Sequence, residues 1–247
     1  MRNLFFTLTY DGTAYHGWQV QANGITVQQV LQDAIEKVLG VRGNIVGCSR
    51  TDAGVHANMY CLNMRTESGY NCERLVSALN ANLPFDIAVI SCREVPFDFH
   101  ARYNCVSKEY IYKIWNSPVR NPFKTGYALH YKYPLDEKML QNEAQAFLGE
   151  HDYAGFCSTH SKIMSTTRNV SKFKVERFGD ELIFTVEADG FLYNMVRIMI
   201  GTLLKIAQGK IAQGSIGDII AAKDRSKAGT TAPAHGLYLN KVNYIWK

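Results

Sequence analysis

Two kinds of apolar periodicity alternate along this chain, and their order limits the folds that it can adopt. Residues 3–10 and 107–115 alternate apolar and polar side chains, which is typical of β-strands. The same criteria predict further strands near 44–48, 58–65, 87–94, 171–178, 181–188 and 236–245. Helical periodicity predicts helices at 26–39, 71–82, 136–148 and 193–207, and a short helix that starts at Ser215. These elements follow no strict strand–helix–strand alternation, so the sequence predicts an α+β fold with a mostly antiparallel sheet and flanking helices.

Two of the predicted helices carry signals at their ends. Thr26 and Gln29 form a capping-box pattern before the first helix, and Gly40 stands where a C-cap glycine is expected. Ser215 and Asp218 have the spacing of a second capping box, which predicts that the Ser215 side chain caps the last helix.

Helix-flanked strands occur in both halves of the chain, which predicts two similar α+β subdomains, residues 1–105 and 106–247, that share the sheet. The formal net charge of +5 is unevenly distributed. Residues 1–105 contain 8 basic and 9 acidic residues, whereas residues 106–247 contain 19 and 13. This excess of positive charge is compatible with a solvated lysine-rich surface or with binding to a polyanion.

The six cysteines contain no CxxC pair and no Cys/His cluster with zinc-like spacing. Free thiols in a reducing compartment are therefore expected. The N-terminus lacks the continuous apolar region of a signal peptide, and no apolar run reaches membrane-spanning length. We therefore expect a cytoplasmic protein.

The segment from Ser49 to His56 is the most unusual local sequence, because Arg50, Asp52 and His56 follow a predicted strand within a few residues. Loops at strand ends are common sites for reactive groups, and Gly54 permits a sharp turn there. Asp52 is either a turn residue that bonds its own backbone or a functional carboxylate. His56 is either a structural residue or a base, and no second ligand at a suitable spacing supports a metal site.

Arg197 places a charge within the apolar segment 191–199. A buried guanidinium needs a partner, so the side chain either extends to the surface or pairs with a carboxylate. A bidentate pair would orient that acid and keep it ionised. Tyr110 and Tyr112 alternate on a predicted strand with Lys108. Such rings belong either to the core or to a surface that stacks on a nucleic-acid base.

Several classes of enzyme are disfavoured by what the sequence lacks. It contains no glycine-rich loop typical of nucleotide binding. The segment 49–56 offers one carboxylate, whereas the usual glycosidase mechanism needs two. A metal-dependent nuclease or phosphatase would need clusters of carboxylates or histidines that the sequence does not suggest.

The segment Ser49-Arg50-Thr51-Asp52-Ala53-Gly54-Val55-His56-Ala57 resembles the signature loop of the TruA family of tRNA pseudouridine synthases. Further segments resemble landmarks of that family in the same order, from about residue 8 to residue 240. They are Tyr10-Asp11-Gly12, Gly17-Trp18-Gln19, Thr26-Val27-Gln28, Leu79-Asn80 with Leu83-Pro84, Phe99-His100-Ala101-Arg102, Lys108-x-Tyr110-x-Tyr112, Phe191-Leu192 with Met195-Val196-Arg197 and Gly201, and Pro233-Ala234 with Gly236-Leu237.

This resemblance implies the pseudouridine synthase fold and an isomerase that converts uridine to pseudouridine in tRNA. The expected targets are positions 38, 39 and 40 of the anticodon stem-loop, and the expected assembly is a homodimer. No redox or group-transfer cofactor is expected, because the isomerisation neither gains nor loses an atom, and no metal is expected, because His56 has no second ligand at a suitable spacing. The alternative is a protein that binds or chaperones RNA on the same scaffold without catalysis.

The resemblance also assigns roles to individual residues. It implies that Asp52 is the catalytic carboxylate, that Arg197 pairs with it, and that Tyr110 stacks on the target uracil. Asp52 would act as a nucleophile on the ribose or as a base at C2′. The resemblance further implies that Arg50 helps to hold the target nucleotide out of its stack.

The matched segments place three more residues among those that bind the substrate, and these are His56, Arg102 and Lys108. The sequence departs from the family pattern at Ser49, at Asn58-Met59-Tyr60 and at Thr166-Thr167-Arg168-Asn169. None of these departures removes one of the implied catalytic groups, so they concern the fit of the RNA.

Overall fold

The computed structural model of the protein describes residues 1–158 and 165–246. Within them the chain forms two compact units. The first comprises Met1–Val106 together with the segment that begins at Tyr238, and the second comprises Ser107–Leu237. The predicted boundary at residue 105 lies one residue from the end of the first continuous segment, but the last strand lies with the first unit.

The strands of the described residues are β1 (Arg2–Tyr10), β2 (Ile45–Gly47), β3 (His56–Thr66), β4 (Ile87–Val95), β5 (Cys105–Trp115), β6 (Leu129–His130), β7 (Gly149–Asp152), β8 (Thr167–Phe178), β9 (Glu181–Ala188) and β10 (Leu237–Tyr244). The α-helices are α1 (Val27–Leu39), α2 (Cys72–Asn80), α3 (Glu137–Ala144), α4 (Met195–Ala207) and α5 (Ile216–Ala222). Short 3-10 helices occur at Pro122–Lys124, Gln145–Phe147, Ala154–Phe156, Arg225–Lys227 and Ala234–Gly236.

In the first unit the strand order is β4-β1-β3-β10, and β2 also pairs with β3. The pairs of β1 with β3, of β1 with β4 and of β2 with β3 are antiparallel. The short pairing of β10 with β3 is parallel, with Tyr238 and Leu239 opposite His56 and Ala57. This sheet carries the segment 49–56, because that segment connects β2 to β3.

Helix α1 has the ends that the sequence predicts. The Thr26 side chain accepts a hydrogen bond from the backbone N–H of Gln29 at 3.3 Å. Gly40 ends the helix in the left-handed conformation, with a φ angle of 74°. The buried residues Val27, Leu31, Ala34 and Ile35 face the core. The apolar stripe and both end signals therefore agree with the observed helix.

In the second unit the strand order is β5-β9-β8-β7, and β6 pairs in parallel with β5. The other pairings of this unit are antiparallel. Each unit thus combines helices with a mostly antiparallel sheet, which confirms the predicted α+β class.

Helix α4 is the most deeply buried helix of the second unit, with buried residues on every side. Such a helix belongs to the core of its unit. The predicted capping role of Ser215 before α5 is wrong, because its hydroxyl group donates to the carbonyl of Ala212 at 2.7 Å and makes no capping hydrogen bond to α5.

All six cysteines are free, and Cys48, Cys61 and Cys157 are buried. None of the helices in the described ranges is long and apolar enough to cross a membrane.

Candidate active site

The segment Ser49–Val55 is braced by hydrogen bonds from the first unit. The hydroxyl group of Tyr60 donates to the carbonyl of Ser49 at 2.5 Å. The hydroxyl groups of Tyr10 and Thr51 share a hydrogen bond of 2.8 Å, and the backbone N–H of Trp18 donates to the carbonyl of Thr51 at 3.1 Å. The backbone before Asp52 is therefore fixed by groups from β1, from β3 and from the loop before α1.

Asp52 opens a tight turn. The backbone N–H of Val55 donates to its carbonyl at 3.2 Å. Gly54 has a φ angle of 75°, which favours glycine, and its N–H donates to the carbonyl of Tyr15 at 3.2 Å. The side chain of Asp52 is partly exposed. The turn thus presents one carboxylate on a backbone that is held from both sides.

Two rings stack behind this turn. The rings of Trp18 and Tyr60 lie 3.9 Å apart at an interplanar angle of 24°. Both are buried, with 3% of Trp18 and 0% of Tyr60 exposed. This aromatic pair gives the turn a rigid support.

Arg50 and Arg102 lie on the surface of the first unit and line the same cavity of about 160 Å³. Ser49, Trp18, Gln19 and Gln28 are among its other lining residues. The structure therefore brings together two of the predicted substrate-binding residues, although 52 positions separate them in the sequence.

His56 is buried, with 1% of the residue exposed. Its Nδ1 atom accepts a hydrogen bond from the N–H of Gly12 at 3.1 Å and lies 3.0 Å from a carboxylate oxygen of Asp11. Its ring stacks on Tyr238 at 4.6 Å. These are the contacts of a residue that joins β3 to the turn after β1, and substrate binding by His56 stays a prediction.

In the second unit, strand β5 carries Lys108, Tyr110 and Tyr112. Lys108 lies opposite Ala188 and is partly exposed. The ring of Tyr110 meets the ring of Phe191 edge to face at 5.0 Å, and 6% of Tyr110 is exposed. Tyr112 is fully buried, and its hydroxyl group donates to the carbonyl of Pro233 at 2.9 Å.

Arg197 projects from the first turn of α4 and is partly exposed. Its Nε atom donates to the carbonyl of Ala232 at 2.7 Å, and Nη1 donates to Oδ1 of Asn194 at 2.7 Å. Burial raises the pKa of Tyr112, and the positive charge of Arg197 acts in the opposite direction. The hydrogen bonds to Ala232 and Asn194 fix the direction of the Arg197 guanidinium.

Helix α4 also packs closely against residues 230–232, the segment whose Ala232 carbonyl accepts a hydrogen bond from Arg197. A methyl group at Gly201 would lie 1.6 Å from the carbonyl oxygen of Thr230. The backbone N–H of Ala232 donates to the carbonyl of Arg197 at 3.0 Å. The absence of a side chain at Gly201 therefore lets residues 230–232 run against the helix.

A metal site has no support in the part of the chain that the structure describes. It contains no group of three or more His, Cys, Asp or Glu side chains that could hold an ion.

The supporting roles of several residues in these two regions are not predicted from the sequence. Tyr10 belongs to a segment that resembles a family landmark and Tyr60 to one that departs from the family pattern, but nothing in either pattern distinguishes a hydroxyl group that reaches a loop. Asn194 adopts a φ angle of 61° before α4. Asparagine tolerates this left-handed conformation better than most residues, so the residue type at position 194 was a signal of the unusual backbone there.

Comparison with known proteins agrees with the resemblance in the sequence. A family profile described as "tRNA pseudouridine synthase" matches residues 7–104 and 144–245. A protein of Thermoanaerobacter sp. (strain X514) named "tRNA pseudouridine synthase A" is 45% identical over 244 residues, which cover 99% of this chain and 100% of the relative. Proteins with the same name from Ruminiclostridium cellulolyticum and Halalkalibacterium halodurans are 43% and 39% identical; the alignments cover 99% and 98% of this chain and 100% and 93% of those relatives.

Proposed function

Because this chain belongs to the family of tRNA pseudouridine synthases, we propose that it isomerises uridines 38, 39 and 40 in the anticodon stem-loop of tRNA. The relatives are named for their action on tRNA, and their names give the reaction. The choice of stem-loop and of nucleotides rests on the matched sequence motifs.

The reaction breaks the N1–C1′ bond of uridine, rotates the freed uracil and joins its C5 atom to C1′. The C5 hydrogen is lost as a proton and N1 gains one, so the composition is unchanged. An ionised carboxylate is needed whether it attacks the ribose or removes a proton from C2′.

The observation that carries the proposal is the braced turn of Asp52. It holds a single, partly exposed carboxylate between backbone anchors to Tyr15, Trp18 and Tyr60. A group that must meet one ribose carbon benefits from such fixed geometry, because a misplaced reactive group loses much of its effect.

Other residues receive roles from the same motifs. In this proposal Arg197 pairs with Asp52 and keeps it ionised, and Tyr110 stacks on the uracil so that it rejoins the ribose before it escapes. Arg50 helps to keep the target nucleotide out of its stack, a step that chemistry on a base-paired nucleotide requires. His56, Arg102 and Lys108 bind the RNA.

A tritium-release assay tests the reaction directly. Incubation of tRNA labelled at C5 of uridine should release tritium, because C5 loses its hydrogen when it bonds to C1′. Asp52→Asn should abolish the release and leave tRNA binding within about twofold, since Asn has a similar shape but cannot act as a nucleophile or base. The matched control is Asp33→Asn on α1, whose carboxylate pairs with Arg42 at 2.5 Å. Wild-type protein that binds tRNA without releasing tritium would instead support the non-catalytic alternative.

The target nucleotides require a separate measurement. Replacing uridines 38, 39 and 40 by cytidine should eliminate the release, whereas replacing uridines elsewhere should leave it unchanged. Release that persists in the triple cytidine variant would contradict the proposed positions.

We also propose that the protein acts as a homodimer in the cytoplasm, where tRNA is modified. Sedimentation equilibrium should give twice the chain mass of 27.9 kDa. A single species of 27.9 kDa at micromolar concentration would contradict the dimer.

A further inference from the structure

The cavity that Arg50 and Arg102 line differs from the rest of the first unit in its charge. Residues 1–105 have a slight excess of acidic side chains. None of the described residues that line this cavity is acidic, and Ser49, Gln19 and Gln28 add polar groups. Two guanidinium groups at a concave site concentrate positive potential, which attracts an anion more strongly than a flat surface does.

The backbone that carries Arg102 is anchored by two buried asparagines. Asn3 and Asn63 are 1% and 4% exposed. The amide of Asn63 donates to Oδ1 of Asn3 at 3.0 Å, and its own Oδ1 accepts from the backbone N–H of Ala101 at 2.8 Å. Asn3 in turn donates to the carbonyl of Phe99 at 2.9 Å. Side-chain amides on neighbouring strands thus hold the backbone immediately before Arg102.

Further bonds surround the same residue. The hydroxyl group of Tyr244 donates to the carbonyl of Ala101 at 2.7 Å. The Nδ1 atom of His100 accepts from the backbone N–H groups of Arg102 at 3.2 Å and of Tyr103 at 3.3 Å. An exposed arginine at the surface needs no such network for folding alone, because it could extend from an ordinary loop. Together these bonds fix the backbone at Arg102 and so restrict where its guanidinium can reach.

We propose that the cavity between Arg50 and Arg102 binds one backbone phosphate of the RNA strand, and that Asn63 is a positioning residue that acts through Arg102. The identification of the anion as RNA rests on the proposed function. Guanidinium groups recognise phosphate through paired N–H donors, so a fixed direction increases the affinity of Arg102 for a phosphodiester.

The salt dependence of tRNA binding tests the phosphate site. In a plot of log K against log salt concentration, each phosphate contact contributes a slope of about 0.7–0.9. Arg102→Gln should weaken binding about tenfold and reduce the slope by about one contact. The control Arg74→Gln removes an exposed arginine of α2 that lies over Tyr70, outside the cavity, and should leave the slope unchanged. An unchanged slope in Arg102→Gln would overturn the site.

A double-mutant cycle tests the positioning role. Asn63→Ser should raise KM about tenfold with kcat nearly unchanged, and should have no further effect on KM in the Arg102→Gln background. Additive effects would overturn the role, because Asn63 would then act independently of Arg102. Asn80→Ser is the matched control, since Asn80 also bonds a backbone N–H and carbonyl, those of Val89, but remote from the cavity.

If Asn63→Ser fails to fold, Tyr244→Phe answers the same question, because it removes one bond to Ala101 and keeps the ring. It should show the same dependence on Arg102. These binding measurements do not require catalysis. Loss of slope in Arg102→Gln with no tritium release by the wild-type protein would support the phosphate site and contradict the proposed reaction.

Discussion

The guanidinium group of Arg197 donates to the side-chain oxygen of Asn194 at 2.7 Å, and Asn194 is the residue immediately before helix α4. The amide of Asn194 donates in turn to the hydroxyl group of Ser158 at 2.8 Å. Arg197 is thereby oriented by the end of its own helix and by the carbonyl of Ala232. A charge directed in this way can serve a fixed anionic partner.

We expect Arg197→Ala to reduce both stability and turnover. Removing the guanidinium deletes its hydrogen bonds to Ala232 and Asn194, each worth about 1.5–3 kcal/mol for a charged donor, and takes away the proposed counter-charge of Asp52. Arg197→Lys should retain more stability but little turnover, since lysine lacks the planar set of donors that reaches two acceptors. Thermal melts and single-turnover assays measure the two effects. An unchanged melting temperature with full activity in Arg197→Ala would contradict the pairing.

The tight contact at Gly201 predicts that a substitution at a distance from the Arg197 side chain also reduces stability and turnover. Gly201→Ala places a methyl group against the Thr230 carbonyl, so residues 230–232 or the helix must move. Overpacking of this kind costs about 1–3 kcal/mol, and turnover should fall because Ala232 holds Arg197. The control is Gly217→Ala in α5, where an added methyl group meets nothing within 4 Å. Equal behaviour of the two variants in urea unfolding would show that the contact at Gly201 is unimportant.

Local patterns predicted the fold wherever burial follows a regular period. Helix α1 was predictable because its apolar stripe lies between a side-chain cap and a terminal glycine. Strand β7 was missed because the four residues Gly149–Asp152 have no apolar alternation, and their pairing with β8 comes from the tertiary structure. Helix α3 ends at Ala144, before the predicted residue 148, because the chain tightens there into a 3-10 turn.

The candidate site was predictable only as far as its motifs reach. Arg50 and Arg102 were identified in the sequence, but Asn3 and Asn63 were not. An asparagine within a strand usually indicates a solvent-facing position, and these two are buried because each bonds the other and the backbone near Ala101. These hydrogen bonds form only because the segments around Asn63 and Phe99 meet Asn3 in the folded chain, so local sequence patterns cannot predict them.

Alkaline pH should destabilise the protein through its buried tyrosines. Burial is the largest cause that raises the pKa of Tyr112, Tyr153 and Tyr244. In the unfolded chain a tyrosine ionises near pH 10, so stability is complete below that pH and falls as the pH rises above it. Each such tyrosine contributes a slope of about 1.4 kcal/mol per pH unit. Between pH 10 and 11, where the unfolded tyrosine is only partly ionised, Tyr112→Phe should reduce the slope of the unfolding free energy by about 1 kcal/mol per pH unit, and an identical slope would contradict the assignment.

Binding of tRNA should weaken steeply with salt, because residues 106–247 carry 19 basic against 13 acidic side chains. Neutralising several phosphates releases several counterions. Between 50 and 200 mM salt, the association constant should therefore fall by at least about tenfold, as measured by filter binding. A binding constant that stays flat over this range would contradict an electrostatic interface.

The two tyrosines of strand β5 should respond differently to the same substitutions. Tyr112 is fully buried and its hydroxyl group bonds Pro233, so Tyr112→Leu should mainly lower the free energy of unfolding, by about 2–4 kcal/mol. Tyr110 contacts Phe191 by its ring, and the proposed stacking on uracil needs a flat ring rather than a hydroxyl group. Tyr110→Phe should therefore fold and bind tRNA normally.

Tyr110→Leu should fold but lose most of its turnover, because nothing would then restrain the freed uracil. Base–aromatic stacking contributes about 1–3 kcal/mol, so tRNA binding should also weaken by about tenfold to a hundredfold. Thermal melts measure stability, and single-turnover assays measure the rate of the reaction. Tyr112→Leu should lower the melting temperature, whereas Tyr110→Leu should lower the single-turnover rate. The reverse pattern would mean that Tyr112 meets the uracil and that Tyr110 belongs to the core, and it would require the roles of the two residues to be exchanged.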